Sequence, residues 1–315
     1  MDMHPLKRLA LAVILSAPGS ALLSQTFVEQ TDIVLKSLRE STAAWADYDN
    51  DGDLDLILTG EDEGLFSILY LNEGSNTFTE QSAIVFEGVS HGCTSWGDYD
   101  NDGDLDILLS GSGVAKIYRN EGGSTFSEQT GIILPGLVNS STAWGDYNND
   151  GYPDILLSGN TPAGDITRIY RNNRDNTFTW QNQINLYGIN DGYVVWGDYD
   201  NDADPDILLT GNNSTRIYRN DGNDAFTELT GFSLQPTESG AAAAWGDYDN
   251  DGNLDFLLTG FLNSSGSSVS RLYRNNGDDT FTEQTDIALT SFAWGTVSWA
   301  DYDNDGDNDI LMCGI

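Results

Sequence analysis

Five alternate aspartates, Asp47, Asp49, Asp51, Asp53 and Asp55, occupy one nine-residue stretch that has glycine, Gly52, at its sixth position. Alternate carboxylates in a tight turn converge on one point, and the backbone carbonyl of the seventh residue can join them. Such a ring of oxygens suits a hard divalent cation, which takes roughly six to eight of them. Calcium is the expected occupant, because magnesium demands strict octahedral geometry and keeps several waters. The stretch recurs as Asp98, Asp100, Asp102, Asp104 and Asp106; as Asp146, Asn148, Asp150, Tyr152 and Asp154; and as Asp198, Asp200, Asp202, Asp204 and Asp206. Two further copies are Asp247, Asp249, Asp251, Asn253 and Asp255, and Asp301, Asp303, Asp305, Asp307 and Asp309. Up to six structural calcium ions are therefore expected.

Two copies depart from the pattern. The third has Asn148 at the third position and Tyr152-Pro153 before Asp154, so it offers fewer charges and is expected to bind more weakly. The fourth has Ala203 where the others have glycine. A Cβ at a left-handed backbone position costs about 1 kcal/mol or more, which makes this loop the first candidate for low occupancy.

The chain carries 50 acidic against 13 basic residues, a formal charge of −37, and 27 of the acids lie in the six loops. Crowding carboxylates in this way is unfavourable unless cations neutralise them. A surface of this sign repels phosphate backbones and anionic headgroups, so nucleic-acid binding is not expected.

Each loop follows a tryptophan: Trp45, Trp96, Trp144, Trp196, Trp245 and Trp299, at steps of 51, 48, 52, 49 and 54 residues. A period near that length marks an array of one supersecondary unit. Before each tryptophan come small residues, as in Ala242-Ala243-Ala244, and after each loop comes an apolar run such as Leu54-Asp55-Leu56-Ile57-Leu58. The run has strand length and suits a strand covered on both faces. A Tyr-Arg-Asn strand, as at Tyr118, and a short Phe-x-Glu strand, as at Phe78, complete four strands per unit, the phenylalanine strand being read as the first of its unit. Four-stranded sheets stacked around an axis make a β-propeller, which buries every sheet face. A linear solenoid is the rival architecture. The expected fold is all-β, a propeller of six four-stranded blades with the last blade incomplete, because the Tyr-Arg-Asn type strand occurs only five times. An EF-hand is excluded, since its twelfth-position glutamate is replaced by Leu58, Leu109, Leu157, Leu209, Leu258 or Met312.

Tryptophan, then Gly-Asp-Tyr-Asp-Asn-Asp-Gly-Asp-Leu-Asp, then an Ile-Leu-Leu-Thr-Gly type strand resembles the FG-GAP or VCBS repeat of integrin-α-like propellers. The resemblance covers residues 25 to 315 and implies that each loop joins the two inner strands of a blade and holds Ca²⁺ through alternating acids and one backbone carbonyl. It also implies extracellular binding or adhesion.

Residues 1–24 read as a signal peptide, with Lys7-Arg8, an apolar run from Leu9 to Leu15 and small residues after it. No run approaches the roughly 20 apolar residues of a transmembrane helix. A secreted or surface-displayed monomer is expected, with an extracellular protein or glycan as partner, bound through the variable connections at residues 61–66, 159–165 and 261–270. Enzyme chemistry has little to stand on: the only histidines are His4 and His91, and no catalytic triad or zinc-type pair occurs. The alternatives are a propeller module of a polysaccharide-lyase-like enzyme and a multivalent lectin. The tryptophans are expected to pack between blades, and Arg119, Arg171, Arg219 and Arg274 to pair with nearby acids. Trp180 breaks the Phe-x-Glu pattern as a plausible partner contact, and Cys93 and Cys313 are expected to stay unpaired.

Overall fold

The computed structural model describes residues 12–14 and 30–315, and every element in them is a strand or a turn. Five four-stranded antiparallel sheets follow one another along the chain. The first consists of Arg39–Ala46, Asp55–Glu61, Leu65–Asn72 and Phe78–Glu80. The second consists of Cys93–Gly97, Asp106–Gly111, Val114–Asn120 and Phe126–Glu128, and the third of Val138–Gly145, Asp154–Thr161, Gly164–Asn172 and Phe178–Trp180. The fourth holds Tyr193–Gly197, Asp206–Gly211, Ser214–Asn220 and Phe226–Glu228, and the fifth Ser239–Gly246, Asp255–Leu262, Ser267–Asn275 and Phe281–Glu283. The sixth sheet is partial: Thr296–Ala300 pairs with Asp309–Cys313, which pairs in turn with Ala12–Ile14. The fold is propeller-like, with repeated four-stranded units.

Two details differ from the sequence reading. The phenylalanine strand closes a sheet instead of opening the next: Asn72 pairs with Phe78 and Tyr70 with Glu80, because Glu73 N–H bonds Thr77 O at 2.8 Å and turns the chain back at once. The segment beside Ile310–Met312 comes from residues 12–14, inside the stretch read as a signal peptide, with Ala12 opposite Met312 and Ile14 opposite Ile310. The rest of that stretch and the copy of the Phe-x-Glu pattern at Phe27 lie outside the described residues.

The chain divides into two compact units, one of residues 30–196 and 220–227, the other of residues 12–14, 197–219 and 228–315. In the first unit the post-loop strands are buried along their length, as Asp106–Gly111 shows. One core joins Ile57 and Leu69 of the first sheet to Ile107 and Leu109 of the second, and another joins Leu108 and Ile117 to Ile155 and Leu157 of the third. In the other unit, Ala242 and Leu257 meet Val297 and Met312. An apolar sheet face is thus covered by the next sheet, which is why the runs after the loops are continuous and not alternating.

Four of the repeat tryptophans cement neighbouring sheets, whereas Trp45, expected to do the same, is 55% exposed and meets Phe78 of its own sheet at 5.9 Å. Trp96 stacks on Tyr48 with centroids 6.4 Å apart and planes 14° apart, Trp144 on Tyr99 at 6.1 Å and 9°, and Trp196 on Tyr147 at 6.3 Å and 8°. In the other unit Trp245 stacks on Tyr199 at 6.3 Å. Each such tryptophan also touches the phenylalanine of its own sheet's last strand, as Trp144 does Phe178 at 6.0 Å. Offset stacking of this kind adds roughly 0.5–1.5 kcal/mol per pair to the area buried. The glycine after the tryptophan serves the same joint: a Cβ on Gly145 would lie 2.5 Å from Trp196 Cδ1.

Candidate metal centre

Each acidic loop joins the first two strands of a sheet, and the same hydrogen bonds shape all six. The first-position carboxylate caps the turn: Asp47 Oδ1 accepts the Asp51 N–H and Oδ2 the Gly52 N–H, both at 3.0 Å. Asp98, Asp146, Asp198, Asp247 and Asp301 do likewise. The fifth-position acid spends one oxygen on the seventh N–H, as Asp51 does with Asp53 at 2.9 Å. Asn50, Asn101, Asn149, Asn201, Asn250 and Asn304, at the fourth position, all sit at φ between 54° and 61°, the left-handed region that asparagine tolerates best among side-chain-bearing residues. Ala203 takes φ +73° in the glycine position and still donates its N–H to Asp198 Oδ2 at 3.0 Å.

The ninth-position aspartate opens the second strand and is buried at Asp55, Asp106, Asp154, Asp206, Asp255 and Asp309. Asp55 accepts the Tyr48 N–H at 3.1 Å and the Asn72 N–H at 2.8 Å. Desolvation still dominates over these bonds. It pushes the carboxyl of Asp106 up to about 8, that of Asp154 to about 7, and those of Asp55 and Asp255 to about 6. The third-position carboxyls of Asp49, Asp100, Asp200 and Asp303 are raised as well, first by burial and next by the fifth-position acid beside them.

Carboxylate oxygens of the first, third and ninth positions lie within 4.8 Å of one another in four loops: Asp47, Asp49 and Asp55; Asp98, Asp100 and Asp106; Asp198, Asp200 and Asp206; Asp301, Asp303 and Asp309. In the fifth loop the trio is Asp247, Asp249 and Asp251. Among the described residues the third loop forms no such trio. Oδ1 of Asp100, Asp200 and Asp303 is buried with no hydrogen-bond donor. The seventh-position side chains turn toward a neighbouring loop: Asp104 accepts from Asn50 at 2.9 Å and Asp307 from Asn250 at 2.6 Å.

Sequence reasoning missed the asparagine that ends each third strand. Asn120 donates its backbone N–H to Asp106 at 2.8 Å and its Nδ2 to the Tyr48 carbonyl of the preceding loop, also at 2.8 Å. Asn172 repeats both bonds with Asp154 and Tyr99 at 2.7 Å. Its recurrence after Tyr-Arg was the signal available. The arginines pair with acids as expected: Arg119 with Glu121 and Asp100, Arg171 with Asp150 at 3.8 Å, Arg219 with Asp279 at 2.7 Å and Arg274 with Asp249 at 2.8 Å. Trp180 is 43% exposed and carries the Arg168 guanidinium 4.1 Å from its ring centroid. His91 pairs with Glu40 at 3.5 Å, and both cysteines are free thiols.

A model of the FG-GAP-like repeat matches this chain at residues 47–109, 98–157, 146–209, 198–258 and 261–312. The chain belongs to the FG-GAP-like repeat family. Most of these matches begin at the first aspartate of one loop and end in the strand after the next, so the family's unit and the sheet-loop-sheet joint described above coincide. No curated protein matches this FG-GAP-like chain. Among solved structures it is similar to a lectin of Agrocybe aegerita, described for specific recognition of non-reducing terminal N-acetylglucosamine. That likeness has a TM-score of 0.60 at 21% identity and covers 87% of this chain and 75% of the lectin. Among the described residues no helix is long and apolar enough to cross a membrane.

Proposed function

We propose that this protein is a calcium-stabilised, propeller-like binding module that acts outside the cell, recognises glycans and carries no catalytic activity. The observation that carries the calcium reading is the donorless buried carboxylate oxygen at the third loop position, seen at Asp100, Asp200 and Asp303. A buried carboxylate oxygen without a hydrogen-bond donor is costly, and a hard cation is the group that relieves it. The donor set fits: in the second loop the carboxylates of Asp98, Asp100, Asp102 and Asp106 and the Asp104 backbone carbonyl would hold the ion. Its chemistry is neutralisation of clustered charge, so its role is structural. The glycan reading is supported by the likeness to the Agrocybe aegerita lectin, together with the multivalency that near-identical sheets confer.

Calorimetric titration of calcium into chelator-treated protein, followed by glycan-array binding with calcium present, tests both parts. Uptake of several ions with a rise in melting temperature, and retention of a defined sugar terminus, are expected. Absence of ion uptake removes the first part. A protein that binds calcium but no glycan, and captures a protein ligand instead, replaces the second.

A further inference from the structure

We infer that the third loop is not a metal site and that the guanidinium of Arg174 stands where its cation would. The inference rests on the calcium reading of the other loops. Three substitutions fall together in this repeat. Asn148 replaces the third-position acid, Tyr152 replaces the seventh-position acid or asparagine, and Arg174 replaces the glycine found at Gly74, Gly122, Gly222 and Gly277.

The last two replacements are neighbours in space. In the first repeat a Cβ on Gly74 would lie 3.2 Å from the seventh-position Asp53, and in the second a Cβ on Gly122 would lie 3.3 Å from Asp104. Where those repeats pair an acid with a glycine, the third pairs Tyr152 with Arg174, the guanidinium 5.6 Å from the ring centroid. Arg174 keeps the left-handed backbone of the glycines, φ +65° against +71° to +73°, a conformation unfavourable for a side chain of its size. Its guanidinium reaches Asp150 Oδ2 at 3.0 Å, and that side chain is only 8% exposed. Asp150 Oδ1 accepts the Tyr152 N–H at 3.1 Å, while Oδ2 is buried without a hydrogen-bond donor and has the Arg174 guanidinium as its counter-charge.

Arg274 also pairs with its loop, yet the Asp247, Asp249 and Asp251 oxygens remain gathered there, and its counterparts recur in other repeats. Arg174 has no counterpart. A fixed cation supplied by the chain makes the joint at the third loop independent of calcium, while the other joints depend on it.

Native mass spectrometry of the full chain, titrated with calcium alone, counts the ions. Asp98→Asn is expected to remove one bound ion and Asp146→Asn to remove none. The triple variant Asn148→Asp, Tyr152→Asp, Arg174→Gly is expected to gain one. Loss of an ion on Asp146→Asn, or a folded triple variant with no gain, overturns the inference. If Asp98→Asn also loses nothing, or the parent binds no calcium, the calcium reading itself has failed.

Discussion

Asn50 of the first loop donates from Nδ2 to the Asp104 carboxylate of the second at 2.9 Å, so one acidic loop is tied directly to the next. Asn101 reaches the Gly151 carbonyl at 2.7 Å, and in the other unit Asn201 reaches Gly252 O at 3.1 Å and Asn250 reaches Asp307 at 2.6 Å. The left-handed asparagine lies between the third and fifth positions, so an ion that orders those acids also orders the clamp on the following loop. A typical intramolecular hydrogen bond contributes about 0.5–1.5 kcal/mol net, and solvent exposure keeps this one in that range despite its charged acceptor. Asn50→Ala and Asp104→Ala should each destabilise by about that much, and a double-mutant cycle by urea denaturation should return a coupling of about 0.5 kcal/mol or more. Strict additivity would show that the clamp carries no energy.

Calcium removal is expected to act on every loop but the third. With a dissociation constant of order 10⁻⁴ M and ~1 mM free ion, mass action adds about 1.4 kcal/mol per site. Five sites then contribute about 7 kcal/mol, comparable with the net stability of an ordinary domain. Chelation should lower the melting temperature by about 10 °C, as those energies convert for a chain of this size. Scanning calorimetry with and without chelator checks it.

Much of this was legible in the sequence because the repeat shows it six times over. The alternating acids of Asp47 to Asp55, the strand after them and the small residues before Trp245 follow from local pattern. Partners across sheets were not legible: nothing in one sequence says that Trp96 lies on Tyr48 or that Asn50 reaches Asp104, since each is a contact some fifty residues apart. The role of Arg174 was hidden for a related reason. Its significance lies in the pairing with Tyr152, which only the fold brings together. The placement of Phe78–Glu80 at the end of its sheet turned on a single tight turn that pattern alone left open.

The joint between sheets should be intolerant of one methyl group. Gly145→Ala places a Cβ 2.5 Å from Trp196 Cδ1, and Trp196 is fixed by its stack on Tyr147. Overpacking of this kind costs typically 1–3 kcal/mol. Denaturant midpoints should fall accordingly, and tryptophan fluorescence should report a more exposed ring. Gly131→Ala, where nothing lies within 4 Å and the backbone is not left-handed, is the control expected to change little.

Ala203→Gly should stabilise the fourth loop. Ala203 holds φ +73°, where a Cβ costs roughly 1–2 kcal/mol, while glycine's extra freedom in the unfolded chain returns part of that. The net gain expected is about 0.5 kcal/mol, with a rise in the calcium affinity of this loop. Thermal melting at fixed calcium and ion counting at limiting calcium check the two parts.

In chelator the ninth-position acids Asp55, Asp106, Asp154 and Asp255 impose a pH dependence opposite to that of most folded proteins. An unfolded aspartate titrates near ~3.9, whereas burial lifts the folded carboxyl of Asp106 to about 8, of Asp154 to about 7, and of Asp55 and Asp255 to about 6. A folded pKa above the unfolded one means that the folded state binds the proton more tightly. The contribution is therefore complete below about pH 4 and is lost as the pH rises through the folded values. The melting temperature of the chelated protein should fall steadily between about pH 5 and pH 8. Excess calcium should abolish or reverse the part of that fall due to Asp55, Asp106 and Asp255, because a bound cation favours the carboxylate, and leave the Asp154 part in place. A chelated protein whose stability rises over the same interval would show that these carboxyls are ionised and satisfied without a metal.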